Sequence, residues 1–453
     1  MKTHMETPLR PPFSTCSITR SMLALLLTGT VHFAAAADGV YPSDPAIVAL
    51  LDGLGDHAAA LLPRPEGKIA SPRHRDYCNK MPWAADRGTA FYAGGSHQTY
   101  RGNDVWEYDL GSNTWHELFA PDGGDHVFVR SVLYFGAVRK LTDHPDAVLT
   151  DKETAEFDRT KAWWKQNVIM HDGHVTTRKG GPIIPAHTWD AFTYDPTAHR
   201  LIWGMGVSPG GTAQYHAMVT GQSPEKLIAQ EDPDYTPMWM FDPMAKEWIH
   251  YRTKAEHAPL RGMGATMAFI PELGKTIWYV AAQNVSPGAF EMWTFDATAD
   301  AWSELKPNGG KSISALATKE KVAPDSELQS AYSSRHGKLV AVLKHDTFTY
   351  DIQANEWAKV NTDERIDAHD ARTVFAYDEA ADVFLLADPK GKTPLAAFSL
   401  KTNQWEVITP DGPPMPRRQY MDYRGYYDPA HNAFVLDGSE GYVWVYRTRR
   451  TGK

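Results

Sequence analysis

The side chains of this sequence best suited to chemistry are arginines and histidines that recur just before short apolar runs. The segments are SPRHRDYC (71–78), GGPIIPAHTWD (180–190), LRGMGA (260–265), DARTVF (370–375) and MPRRQYMDYR (415–424), and His369 directly precedes the fourth. They carry Arg73, His74, Arg75, His187, Arg261, Arg372, Arg417 and Arg418, with Tyr77 and Tyr420 among them. A sixth lead-in, QSAYSS (329–334), has no cation, while His97 and His345 lie near neighbouring turns. Guanidinium binds carboxylate or sulfate through two parallel hydrogen bonds. Arg73, Arg75, His97, Arg261, Arg372, Arg417 and Arg418 therefore form a candidate binding set for an anionic ligand. His187, His74, Tyr77 and Tyr420 are the candidate catalytic residues, with His187 first among them. A cation on a uronate carboxylate (Arg261, Arg372 or Arg418), a base and an acid suffice for β-elimination. The competing reading pairs these arginines with nearby acids: Asp76, Asp190, Asp370 and Asp422.

His171, His174 and His187 fall within one stretch, MHDGHVTTRKGGPIIPAHTWD (170–190). Two histidines three apart can bind a metal, but no third ligand lies near in sequence. No cofactor is expected on this ground, and a metal ion stays open.

A channel mouth would bring such segments together, and the sequence holds a repeat that builds one. Five segments end a short alternating strand on an aromatic, make a turn and reach a Trp: DVWEYDLGSNTW, MWMFDPMAKEW, MWTFDATADAW, TFTYDIQANEW and LAAFSLKTNQW. Tyr108 to Trp115, Phe241 to Trp248, Phe295 to Trp302, Tyr350 to Trp357 and Phe398 to Trp405 are each seven apart. Period-two alternation buries one strand face, and the Asp/Asn/Gly-rich middle supports a tight turn. A second hairpin lies upstream of each unit, so each pair makes a four-stranded sheet. A sixth hairpin, GYYDPAHNAFVLDG (425–438), is followed by YVWVYRT but by no Trp strand. The N-terminal segment 38–72 is the natural donor of its missing strand, which would close the ring and hide sheet edges.

These residues resemble the Kelch family most closely in the first unit. Gly94-Gly95, then Asn103-Asp104-Val105-Trp106-Glu107-Tyr108-Asp109, then Asn113 and Trp115 follow its double glycine, tyrosine and tryptophan in order. The resemblance extends over residues 73–447 and weakens in later units. It implies an all-β, Kelch-like β-propeller of about six four-stranded blades, and it implies no activity. In such a ring the lead-ins to the inner strands meet at one mouth, a concave site on a rigid scaffold. Residues 119–186 are expected to form an insertion between the first two blades, with a helix over DKETAEFDRTKAWWKQN (151–167) beginning near Thr150-Asp151. A seventh blade around HVFVRSVLYFGAV (126–138) is the alternative.

The bulk numbers narrow the partners. Forty-six basic against 55 acidic residues give a net charge of −9, which argues against a nucleic-acid partner. Residues 1–37 read as an export signal: Arg10 and Arg20 precede an apolar run from Met22, and Ala35-Ala36-Ala37 offers a cleavage point. Met5 and Met22 are alternative starts. Cleavage would leave no membrane span and would remove Cys16, making Cys78 the only thiol and excluding an intrachain disulfide. The expectation is a secreted or periplasmic monomer.

Three functions fit this frame. The first is recognition of an acidic polysaccharide, with or without cleavage, since some exported polysaccharide lyases are propellers that use His, Tyr and Arg. The second is a non-catalytic Kelch-type binding or assembly module. The third, remote, is a copper-radical oxidase, because the galactose oxidase family is built on a Kelch propeller. That family's resemblance implies a Tyr-His pair near the last blades, yet Arg418-Gln419-Tyr420-Met421 has no adjacent His. Cys78 adjoins Tyr77 in the first blade, and adjacency in sequence is not that family's Cys–Tyr crosslink. No nucleophile elbow, phosphate loop or dinucleotide fingerprint is present; Gly204-Met205-Gly206 falls at a strand end. Paired carboxylates for glycoside hydrolysis stay open, because their separations are invisible in sequence.

Overall fold

The computed structural model describes residues 40–63, 71–73, 75–95, 100–122, 136–171, 174–183, 185, 188–204, 216–221, 238–250, 265–279, 292–310, 313–316, 328–368, 373–416, 423–437 and 442–450. After helix α1 (Pro45–Gly53) and strand β1 (Ala58–Leu61), the chain builds its blades in order. Blade one holds β2 (Trp83–Ala84), β3 (Thr89–Tyr92), β4 (Val105–Asp109) and β5 (Thr114–Phe119). An excursion follows: helices α2 (Ala137–Asp143) and α3 (Asp151–Asn167), then a hairpin of β6 (Val168–His171) and β7 (His174–Thr177). Blade two is β8 (Phe192–Asp195), β9 (Arg200–Trp203), β10 (Trp239–Asp242) and β11 (Glu247–His250). Blade three is β12 (Thr266–Ile270), β13 (Lys275–Tyr279), β14 (Met292–Asp296) and β15 (Ala301–Glu304), and a short helix α4 (Ile313–Leu316) follows it. Blade four is β16 (Gln329–Ser333), β17 (Lys338–Leu343), β18 (Asp346–Asp351) and β19 (Glu356–Thr362). Blade five is β20 (Val374–Asp378), β21 (Val383–Ala387), β22 (Leu395–Ser399) and β23 (Gln404–Val407). Blade six is β24 (Arg424–Asp428), β25 (Ala433–Asp437) and β26 (Val443–Arg447), with β1 as its fourth strand.

The first strands of the six blades touch in cyclic order, β2–β8–β12–β16–β20–β24 and back to β2. The fold is therefore an all-β propeller of six antiparallel four-stranded blades. The described part of the excursion holds two helices and a hairpin. Most of the segment 126–138 named for a seventh blade lies outside the described residues, but β2 touches β8 directly, so the ring closes with six blades.

The seven-residue spacing has a direct geometric cause. In every case the aromatic and the Trp are cross-strand partners: Tyr108 with Trp115, Phe241 with Trp248, Phe295 with Trp302, Tyr350 with Trp357, Phe398 with Trp405. Such facing aromatic pairs stabilise a ladder by up to about 1 kcal/mol each. The indoles also reach the preceding blade. Trp248 Nε1 donates to the Asn103 carbonyl at 2.9 Å, Trp405 Nε1 to Thr347 Oγ1 at 2.8 Å, and Trp357 Nε1 meets Met292 Sδ at 3.0 Å.

The turns explain the Asp that follows most of these aromatics. Asp195 Oδ1 accepts from the backbone N–H groups of Thr197 and Ala198, and Asp242 and Asp296 repeat the pattern two and three residues on. These are Asx turns, which substitute a side-chain oxygen for a backbone acceptor. The last residue of each such hairpin turn is left-handed, from Asn113 and His199 to Asn403 and Asn432. A tyrosine five residues earlier often grips that position: Tyr108 Oη donates to Asn113 Oδ1 at 2.6 Å and Tyr427 Oη to Asn432 Oδ1 at 2.9 Å.

Helix α3 begins where its sequence specifies. Thr150 N donates to Glu153 Oε2 at 2.7 Å and Glu153 N donates to Thr150 Oγ1 at 3.3 Å, a reciprocal capping box. Its buried Trp164 sits with Val138, Val168 and Ile183 in a small separate core.

The N-terminal segment spans the seam between blades six and one. Strand β1 pairs with β26 from Ala58↔Arg447 to Leu61↔Trp444. On its other edge, Ala59 N donates to the Asp411 carbonyl at 2.7 Å. Gly412, at φ 112°, lies so close that a Cβ there would meet the Ala59 carbonyl at 2.3 Å. Ile47 and Leu51 of α1 enter a core with Trp106 and Tyr108 of blade one and Tyr426 and Val445 of blade six. Upstream of α1, Tyr41 Oη donates to Glu107 Oε2 at 2.7 Å, and the Tyr41 ring stacks on His116 at 3.5 Å. Glu107 is wholly buried and is also gripped by Arg87 through two hydrogen bonds of 2.6 and 2.9 Å.

Candidate functional site

The six inner strands all begin at one end of the ring, and the residues just before or at their starts form a connected polar throat. Lys80, leading into blade one, donates to Asp190 Oδ2 at 3.1 Å, to the Asp190 carbonyl at 3.4 Å and to the Met267 carbonyl at 2.6 Å. It thereby spans blades one, two and three. Asp190 Oδ2 also accepts from Thr266 Oγ1 and from Ser330 N at 3.3 Å, which adds blade four. Beside Lys80, Asn79 Nδ2 donates to the Thr373 carbonyl of blade five at 3.0 Å, and Gln329 Nε2 donates to the same oxygen at 2.7 Å. Gly425 of blade six exchanges backbone bonds with Asn79 and Met81. Residues 79–81 thus touch the inner strands of all five other blades directly or through one shared partner.

This throat is charged but balanced. Lys80 keeps 18% of its side chain exposed and Asp190 8%. Burial raises the pKa of Asp190 above the ordinary carboxylate range, and Lys80 and the Thr266 hydroxyl offset part of that. All three donors of the Lys80 ammonium are taken up by protein oxygens.

A second polar layer lies behind the throat, in blades one and six. Arg75 Nη2 pairs with Asp104 Oδ2 at 2.7 Å, and Arg424 Nη2 pairs with Asp437 Oδ2 at 2.6 Å. The Tyr92 ring lies 4.8 Å from the Arg75 guanidinium and 4.4 Å from that of Arg424. Arg424 also stacks over Trp115 at 4.6 Å. Each contact is a cation–π pair at a desolvated position, of the order of 1–2 kcal/mol. Cys78 is buried beside them, with Sγ 3.2 Å from the Ala93 carbonyl; burial raises its pKa although Arg75 opposes it. A buried thiol held neutral is inert.

The rim between blades one and two is set by Gly94-Gly95. Thr188 Oγ1 accepts from Gly95 N at 2.8 Å. Gly94 has φ 85°, and a Cβ there would lie 2.3 Å from Thr188 Oγ1. The double glycine therefore lets the lead-in of blade two lie against blade one. Immediately after Thr188, Trp189 N donates to the Tyr77 carbonyl at 2.8 Å. The two rings meet edge-on at 6.1 Å.

Of the residues expected at the mouth, the described ones separate into two groups. Arg73 is exposed, with its guanidinium 5.6 Å over the Tyr100 ring, and Tyr77 is half-buried at the rim. Arg75 differs from expectation: it is 1% exposed and bound to Asp104, because blade one needs a cation between Asp104 and Tyr92. A ligand cannot reach it. His345 packs on its own blade, Nδ1 against the Ile366 carbonyl. His74, His97, His187, Arg261, His369, Arg372, Arg417, Arg418 and Tyr420 lie outside the described residues. Of the acids proposed as arginine partners, Asp190 serves Lys80 instead. Lys80 and Arg424 went unrecognised in sequence, although Lys80 lies three residues before β2, Arg424 begins β24 and each is cationic. Among the described residues no cluster of three or more metal-ligating side chains occurs, and no helix is long and apolar enough to cross a membrane.

No family model matches the chain, and no curated protein matches it. Solved structures do: "Structure of YjhT" aligns over 84% of this chain and 95% of that one, with a TM-score of 0.43 and 10% identity. A likeness of that degree bears on neither ligand nor activity.

Proposed function

We propose that this propeller recognises an acidic polysaccharide, uronate-containing or sulfated, laid over the mouth where the inner strands begin. One observation carries the reading. The polar throat fixes the starts of all six inner strands at one end of the ring, and the cationic lead-ins are continuous with those starts. Arg372 directly precedes Thr373, His187 directly precedes Thr188, Arg261 is four residues before Ala265, and Arg418 is five before Tyr423. Exposed Arg73 belongs to the same set. Guanidinium groups distributed around a concave rim suit a polymer with a carboxylate or sulfate on each unit.

Cleavage by β-elimination extends this reading. A base removes the proton on C5, the bond from C4 to the leaving oxygen breaks as the C4–C5 double bond forms, and an acid protonates the departing oxygen. His187 is the first candidate for the base and Tyr420 for the acid, with Arg261, Arg372 or Arg418 neutralising the carboxylate. A second reading, binding without cleavage, is favoured by the throat itself. In the throat and the layer behind it, the described ion pairs are internal: Lys80 with Asp190, Arg75 with Asp104, Arg424 with Asp437.

The test is a panel of uronate-containing, sulfated and neutral polysaccharides incubated with residues 38–453. Ultraviolet absorbance of the unsaturated product and melting temperature are followed together. Product formation abolished in His187→Ala supports cleavage. A melting shift with the anionic polymers alone supports recognition without it. No response to any anionic polymer removes both.

A further inference from the structure

We propose that Tyr77 is a stacking platform for one sugar ring of the bound saccharide, propped from behind by Trp189. The inference takes the saccharide class from the proposed function but does not depend on the ligand's charge.

Three observations meet at this pair. The first is conformational. Tyr77 has φ 56° and Trp189 φ 43°. A bulky side chain in the left-handed region costs of the order of 1–3 kcal/mol and persists where the surroundings impose it, which happens preferentially at functional sites. Most other left-handed non-glycine residues here are Asn, Asp, His or Lys closing hairpin turns; among the described residues these are the two with large aromatic rings. The second is mutual support. Trp189 N donates to the Tyr77 carbonyl, Ala191 N closes onto the Thr188 carbonyl at 3.0 Å, and the two rings meet in a T-shaped contact. The strained backbone of each residue is thus held by the other's segment. The third is the division of exposure. Trp189 is 2% exposed, whereas Tyr77 is half-buried. Trp189 is sealed in, and Tyr77 keeps part of itself in contact with solvent.

Position completes the argument. Tyr77 is three residues from Lys80, and Trp189 adjoins Asp190, so the pair stands at the edge of the polar throat. A sugar ring presents an apolar C–H face and polar edges. An aromatic face at a polar rim complements such a ring by area burial at the face, and leaves the polar edges to the groups around it. This assigns Tyr77 a binding role through its ring, in place of proton transfer through its hydroxyl.

The test uses residues 38–453 with two probes, an oligogalacturonate and its methyl-esterified, neutral counterpart, and reads binding by calorimetry and by tryptophan fluorescence. Tyr77→Phe retains the face and is expected to bind within about twofold of the parent. Tyr77→Leu removes it and is expected to bind roughly tenfold more weakly, the range of an aromatic contact. Both variants should melt close to the parent, and Tyr77→Phe guards against a folding artefact. Equal binding by Tyr77→Leu and the parent overturns the platform, as does loss of binding in Tyr77→Phe. If the parent binds both probes equally and Tyr77→Leu weakens both, the platform stands and the acidic-ligand reading falls. If the parent binds neither probe, the platform falls with it.

Discussion

Lys80 and Asp190 show what a single ion pair does at the axis of a ring. Each is largely removed from water, and the ammonium is saturated by three protein oxygens. Removing one partner of a buried pair leaves the other charge uncompensated, at a cost of about 3–5 kcal/mol. Lys80→Met is therefore expected to lower the unfolding free energy by roughly 3 kcal/mol in urea titrations, and Lys80→Met with Asp190→Asn to recover part of it. A double variant as unstable as the sum of the singles would show that the two residues act independently. Gly94→Ala is expected to cost more than an ordinary surface change, because it adds a Cβ at φ 85° against Thr188. At this scale sequence reading was least informative. An arginine before a strand looks the same whether it is exposed, as Arg73 is, or sealed inside, as Arg75 is. Two positions separate them, and only the packing of Tyr92 and Asp104 tells them apart. The buried partner of Lys80 lies 110 residues away, with no local signal.

The elements were far more legible, and the reason is physical. The aromatic-to-Trp spacing is a cross-strand pair folded flat into one hairpin, so its signature stays within a dozen residues. The Asp and the left-handed residue of each turn are equally local, as is the capping box of α3. Where a strand borrows a partner from afar, as β26 does from β1, the pattern lapses. Two histidines on these elements predict a pH profile. His116 lies on β5 with its ring stacked on Tyr41 and its Nε2 buried without an acceptor. Burial lowers its pKa, although Asp109 and Glu107 oppose that and Lys246 adds to it. The neutral ring suits the folded state, so its contribution is full above about pH 6.5 and is lost as pH falls through the lowered value. His431, in the first turn of blade six, behaves oppositely. Burial disfavours its charge, but the hydrogen bond to Asp428 and the neighbouring Asp109 and Asp52 outweigh that and raise its pKa. Its contribution is full below about pH 6.5 and is lost as pH rises through the raised value. Melting temperatures across pH 5 to 9 are expected to fall on both sides. His116→Phe should flatten the acid limb and His431→Asn the alkaline limb; an unchanged profile in either variant would refute that assignment.

The whole molecule is a ring whose last joint is made by its first strand. Blades one to five each close their four strands from one contiguous stretch, whereas blade six joins Ala58 to Arg447. Substituting Ala59 by Pro removes the N–H that bonds the Asp411 carbonyl, and is expected to lower the melting temperature by several degrees. The same joint has a consequence in time. A chain must pay out nearly its full contour before His57 can find Tyr446, partners 389 residues apart. The entropy of closing so long a loop rises only logarithmically with its length, but contacts this distant slow the search for the native state. Five blades can form from neighbouring segments while the sixth waits with an open edge on β26. Refolding from urea is therefore expected to show a fast phase followed by a slower one, and Ala59→Pro to change only the second. Until that last strand arrives, the slowest-forming contact is also an unguarded sheet edge, which makes the final step of assembly the moment when chains at high concentration join one another instead of themselves.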